Sequence, residues 1–246
     1  MSTFVRRLAL ALSFLTRLPL ARIAGDEVDV GRAVAFFPLV GVVLGTIVAG
    51  VAWLLADRLP ASVLAVLLVA LIAALTGGLH LDGLADTFDA LGASGDAERR
   101  LAVLRDSRIG AHGASALLLL VLAKVAALEA HVASGGLAPL VVFPALARAV
   151  VPLELVSFSY ARPSGLGSAF RAHAKTSDVA LALATAAAAL LFLGFRGVLA
   201  GVATVLLALL FARLAARRFG GLTGDVYGAS IELAEALFLV LTLRAP

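Results

Sequence analysis

Cysteine is absent from this 246-residue chain, so disulfides and thiolate metal sites are excluded. Charge is scarce: 15% of residues are Asp, Glu, Lys or Arg, where a soluble domain carries about a quarter. Polar linkers and Ser/Pro-rich spacers are missing too, so the chain reads as one domain over residues 1–246. Hydrophobic residues make up 62% and the mean hydropathy is +1.06. That balance marks an integral membrane protein, all-α and polytopic.

Arg6 and Arg7 followed by LALALSFL resemble the start of a signal peptide. The run continues into Thr16-Arg17-Leu18-Pro19 with no small-residue cleavage site. Residues 3–20 therefore read as an amphipathic helix lying at the membrane interface, with a first spanning helix as the alternative. Seven later stretches have the length and apolarity of spans: 33–56, 61–79, 112–133, 137–160, 178–195, 197–213 and 228–243. Segments 1–32, 81–111 and 161–177, and the one that follows the helix ending at Arg213, hold fifteen of the 20 basic residues. Alternation puts all four on one side, which the positive-inside rule makes cytoplasmic. Arg58, Arg196 and Arg244 fall opposite. Gly41-Val-Val-Leu-Gly45 is a small-xxx-small pattern for close helix approach, or simply the glycine content usual in spans. The Ala/Leu run 180–191 reads as lipid-facing filler.

His80-Leu-Asp-Gly-Leu-Ala-Asp-Thr-Phe-Asp89 follows an apolar run directly. Asp82, Asp86 and Asp89 are spaced i, i+4, i+7 and share one helical face. Three carboxylates on one face repel unless a cation sits among them, and oxygen-only ligands favour Mg²⁺, Mn²⁺ or Ca²⁺. Magnesium usually keeps waters and substrate phosphates, so such a site implies a phosphate-bearing substrate. The plainer reading is an acidic helix start stabilised by the backbone dipole.

Two further stretches add to it. In Arg105-Asp-Ser-Arg-Ile-Gly-Ala-His-Gly113, Asp106 is a fourth candidate ligand and Arg105 and Arg108 suit phosphate oxygens. His112 is a candidate proton shuttle, and Gly110 and Gly113 let backbone approach a ligand. In Gly220-Gly-Leu-Thr-Gly-Asp225, Asp225 is a candidate metal or hydroxyl ligand. Arg162, in the loop 161–167, suits a second phosphate contact. Glu232 and Glu235 are acids within the last helix and should face the bundle. Lys124 is within reach of the cytoplasmic site or pairs inside the bundle, and Arg148 is expected to pair with Glu154 or Glu129.

GGLHLDGLADTFDALG, RDSRIGAHG and GGLTGDVYGA, with FLTRLPL, AFFPLVGVVLG and ARPSGLGSAF, together resemble the cobalamin synthase (adenosylcobinamide-GDP ribazoletransferase) family across nearly the whole chain. One departure is Ala90, where the family usually has glycine. The resemblance implies a Mg²⁺-dependent enzyme of the bacterial cytoplasmic (inner) membrane, its site facing the cytoplasm. The reaction it implies joins adenosylcobinamide-GDP to α-ribazole or its 5′-phosphate and releases GMP. Asp82, Asp86, Asp89 and Asp106 are then assigned to metal. Asp89 and Asp86 carry the chemistry with His112, and Arg105, Arg108, Asp225, Lys124 and Arg162 bind substrate. The partners implied are small-molecule substrates, membrane lipid and neighbouring late-pathway enzymes, with no nucleic acid. The Asp-rich helix is also similar to that of CDP-alcohol phosphotransferases, the alternative enzyme. A cation-coupled transporter is the non-enzyme alternative, but its acids belong near the bilayer midplane and within repeats, which this sequence lacks.

Overall fold

The computed structural model describes residues 2–18, 27–162 and 166–243. Arg22, Arg244 and positions 163–165 of the basic loop lie outside them. Among the described residues the chain is helical throughout, apart from an isolated parallel bridge between Tyr160 and Leu222. The order begins α1 (Thr3–Leu15), α2 (Glu27–Arg32), a 3₁₀ turn, then α3 (Phe37–Leu55) and α4 (Ala61–Thr76). It continues with α5 (Leu79–Gly92), α6 (Ala97–Val103), α7 (Ala111–Ala133) and α8 (Ala138–Ser157). It closes with α9 (Leu166–His173), α10 (Thr176–Leu191), α11 (Gly194–Phe219) and α12 (Gly224–Leu241).

All seven apolar stretches are helices, but not all have the length of a span. Four are long and apolar enough to cross a membrane: Asp29–Leu55, α7, α8 and α11. Helix α4 reaches that standard only together with α5, from which it is bent by 92°. Helix α10 has 16 residues, about 24 Å of rise against a hydrocarbon core of about 30 Å. Helix α12 carries Asp225, Glu232 and Glu235 within its 18 residues and is buried along most of its length. By length and composition, the described residues thus supply four helices of spanning character, or five if the bent α4–α5 pair is one span, where the sequence suggested seven. The run 180–191 is not mere filler, because Ala182, Ala186, Ala189 and Leu190 of α10 are buried against the bundle.

The bend between α4 and α5 has a local cause. Gly77 and Gly78 both adopt left-handed backbone, φ +66° and +71°, which glycine reaches without a β-carbon clash. Helix α5 therefore turns sharply from the axis of α4 and carries its aspartates with it.

Helix α1 ends at Leu15, short of the residue 20 that the sequence suggested. It has 13 residues, about 20 Å, too short to cross. Its Ala9, Ala11 and Leu15 are buried while Phe4 and Val5 stay exposed. Arg6 and Arg7 pair with Asp29 of α2, and Arg32 grips Asp178 of α10 at 3.0 Å. Part of the basic excess at this end is thus used in fixing the N-terminal helices.

Gly41 and Gly45 mark a true helix crossing. A β-carbon on Gly41 would lie 2.3 Å from the Pro144 carbonyl oxygen of α8, and one on Gly45 would lie 2.1 Å from that of Val141. The backbones of α3 and α8 touch there, and nothing flexible can yield. Gly50, one turn on, faces open space. We expect Gly45→Val to destabilise the protein by about 1–3 kcal/mol through overpacking. Gly50→Ala in the same helix should leave the melting temperature of the purified protein unchanged or slightly raised, since alanine is the better helix former.

Candidate functional site

Helix α5 presents Asp82, Asp86 and Asp89 on one face, as the spacing requires. Asp82 is exposed in the first turn, and Asp86 and Asp89 are half-buried. The start of α12 meets this face. Gly83 lies against the backbone of Asp225, where a β-carbon would come within 2.7 Å of its carbonyl oxygen. Gly228 packs on the backbone of His80 in the same way, at 3.3 Å. These two glycines bring Asp225 beside the aspartates of α5.

Asp225 is held where it stands. It accepts from the Arg162 guanidinium at 3.1 Å and from the Thr223 hydroxyl at 3.2 Å. Arg162 is placed by a backbone strap: Ala161 N–H donates to Leu222 O, and Leu222 N–H to Ser159 O, each at 2.8 Å. Asp82 and Asp86 have no hydrogen-bond or ion-pair partner among the described residues. Burial, and then the charges of Asp82, Asp225 and Asp89, push the Asp86 carboxyl up to about 6, with Arg162 opposing.

Asp89 is used differently. Its two oxygens accept the N–H groups of Gly110 and Gly113 at 2.7 and 2.8 Å. Those are orphan donors at the start of α7, and the carboxylate caps them from another helix. A β-carbon on either glycine would strike an Asp89 oxygen at 2.4 Å. The glycines of this loop thus admit a protein carboxylate.

The remaining candidates are dispersed. Asp106 and Arg108 satisfy each other through a two-pronged pair, 3.0 and 2.7 Å, on the exposed loop before α7. Arg108 holds the Asp106 carboxyl down at about 2. Arg105 is exposed. His112 is exposed in the first turn of α7, with its ring against Gly92. Lys124 is buried, and its ammonium contacts Glu232 and Glu235 of α12, both at 2.6 Å. Arg148 pairs with Glu235 at 2.8 Å rather than with Glu154 or Glu129.

Two contributors escaped the sequence reading. Arg100 of α6 is buried and donates to the carbonyls of Ala90 and Leu91, closing the end of α5. Only its place one helix beyond the aspartates hinted at this. His80 is buried under the site with its Nε2 unpaired, although it stands inside the first motif.

Among the described residues, no three His, Asp or Glu side chains converge tightly enough to hold a metal as they stand. The donor chemistry still fits a hard divalent cation. Asp82 and Asp86 are open carboxylates in mutual repulsion, with Asp225 adjoining.

The capping role of Asp89 gives a test. Asp89→Ala strands two amides, each worth about 1–3 kcal/mol where buried. Limited proteolysis in liposomes should therefore cut the 104–110 loop faster in this variant. Asp82→Ala, which removes no hydrogen bond, should leave the cleavage rate unchanged.

Comparison with known proteins meets this geometry. The chain matches the cobalamin-5-phosphate synthase family over residues 7–243. It is 42% identical over 241 residues to adenosylcobinamide-GDP ribazoletransferase of Pseudomonas paraeruginosa, covering 96% of this chain and 97% of that one. The protein of the same name from Pseudomonas aeruginosa is 43% identical over 243 residues, covering 96% and 97%. That of Shigella dysenteriae is 39% identical over 239 residues, covering 94% and 97%. No solved structure matches. With the match running through every element that builds the site, the chain belongs to the cobalamin-5-phosphate synthase family.

Proposed function

We propose that this chain joins adenosylcobinamide-GDP to α-ribazole or its 5′-phosphate at the α5–α12 cluster. The products are GMP and adenosylcobalamin or its 5′-phosphate. A ribazole hydroxyl attacks the phosphorus bonded to the cobinamide arm, the pyrophosphate bond breaks, and GMP leaves. The observation that carries this reading is the pair of open carboxylates, Asp82 and Asp86, facing the Asp225–Arg162 pair across one helix contact. Relatives that carry the ribazoletransferase name along nearly their whole length support it.

The residues then divide the work. Asp82 and Asp86, with Asp225 beside them, would hold Mg²⁺ or Mn²⁺, substrate phosphates and water completing the shell. When bound, the cation neutralises the pyrophosphate and stabilises the charge on the departing phosphate. Arg162, which pairs with Asp225 and offsets the charge around Asp86, is assigned to the phosphates. Arg105 and Arg108, on the exposed loop, extend that basic rim. Asp86, half-buried and with no partner, is assigned to accept the hydroxyl proton in place of Asp89, whose oxygens hold α7. His112 is exposed at the loop edge, where it can pass that proton to water. Lys124 acts from below by fixing α12 rather than by touching substrate. Asp106 serves its own loop through Arg108.

The site would face the cytoplasm from the inner membrane, where nucleotide substrates are found. Association with neighbouring pathway enzymes would keep the large corrinoid intermediate at the membrane.

The test is turnover of the purified protein in lipid with adenosylcobinamide-GDP and α-ribazole phosphate. Release of GMP with a cobalamin product, dependent on Mg²⁺, is expected. Asp86→Asn should lower the rate by at least about a hundredfold, the lower end of a single acid–base or electrostatic contribution, with an unchanged melting profile. Asp106→Asn should cost far less. An active Asp86→Asn enzyme would remove the assignment, and release of CMP from a CDP-alcohol in place of GMP would replace the reaction.

A further inference from the structure

A cavity lies at the end of the bundle away from the acidic cluster. Helix α7 runs 23 residues, about 33 Å, from the Asp89 contact to Ser134. There the ends of α7 and α12 meet the starts of α8 and α11 around a cleft of about 700 Å³. That is well within the size of a small-molecule site, roughly 300–1,000 Å³. Its walls include Phe192, Leu193, Leu199 and Leu241, and its cation is Arg196. Of the polar groups around it, the His131 ring is taken by the Leu239 carbonyl at 2.9 Å, and the Ser134 hydroxyl by the His131 carbonyl at 3.1 Å. Arg196 is exposed and has no hydrogen bond or ion pair with any described residue, and none of the described lining residues is acidic. The neighbouring Leu191, Phe192 and Phe195 are 72%, 86% and 76% exposed, so the mouth opens on a surface built for hydrocarbon.

We propose that this cleft binds one acidic phospholipid, with its phosphate on Arg196 and an acyl chain along the apolar wall. An unpaired guanidinium beside such a surface calls for an anion, and a phosphate accepts its paired N–H groups. A free anion would leave the hydrophobic wall uncovered, and a neutral apolar molecule would leave Arg196 without its charge partner. A phospholipid satisfies both parts at once. The site lies a membrane thickness from the acidic cluster and is independent of the reaction there.

Trp53 is the one tryptophan of the chain, which makes a reporter simple. In a Trp53→Phe, Phe192→Trp protein, dibrominated phosphatidylglycerol should quench fluorescence at roughly one-tenth the mole fraction needed for dibrominated phosphatidylcholine, a difference of one charge-assisted contact. Adding Arg196→Gln should abolish that preference. Equal quenching by the two lipids would overturn the proposal, as would a preference that survives Arg196→Gln. Full reversal by millimolar inorganic phosphate would also overturn it and identify a free-anion site. Native mass spectrometry of wild-type protein, which avoids any folding defect of the variants, should retain one phosphatidylglycerol per chain against a phosphatidylcholine challenge. Loss of the lipid there would count against the site whatever the variants do.

Discussion

Helix α12 must bury two carboxylates inside an apolar bundle, and much of the architecture answers that demand. Glu232 and Glu235 sit three residues apart and point at one neighbour, Lys124 of α7. Glu235 also takes Arg148 from α8. Two cations and two carboxylates thereby cross-link three helices. Removal of any one leaves an uncompensated charge in a low dielectric, at a cost of about 3–5 kcal/mol. The network need not add stability over a hydrophobic core of the same volume. Its physical effect is to permit few rotations of α12. Since Asp225 lies at the start of that helix, a rotation fixed in the middle also fixes the carboxylate at its end.

The acidic cluster depends on contacts that carry no charge. Gly83 and Gly228 let α5 and α12 come into backbone contact. The Tyr160–Leu222 bridge then brings Arg162 over Asp225. Polar residues in this site are correctly placed because small residues and backbone bonds have already decided the distances between helices.

The sequence showed the class, the helices and the Asp82–Asp86–Asp89 face, because hydropathy and helical periodicity are local properties. It also put Asp225 within reach of that face, because alternation of the spans places both loops on one side. What it could not show was partnership across helices. Arg148 finds Glu235 and not Glu154, which the neighbouring numbers suggested. Gly110 and Gly113 looked like room for a ligand and turned out to be room for Asp89. Asp106 looked like a fourth ligand, yet a two-residue hop to Arg108 satisfies it locally. The count of spans fell for a related reason. Apolarity alone does not distinguish a 16-residue helix packed in the bundle, such as α10, from a rod that crosses.

The paired left-handed glycines at 77 and 78 also bear on how the chain enters its membrane. A charged aspartate at the centre of an inserting helix costs about 2.5–3.5 kcal/mol. Three of them on a straight continuation of α4 would together approach roughly 8–10 kcal/mol, enough to oppose insertion of the whole segment. Turning the chain by 92° takes the acidic helix off the axis of α4, so its carboxylates are not carried along the apolar rod. The same corner that shapes the site therefore separates an apolar helix suited to hydrocarbon from an acidic helix that is not.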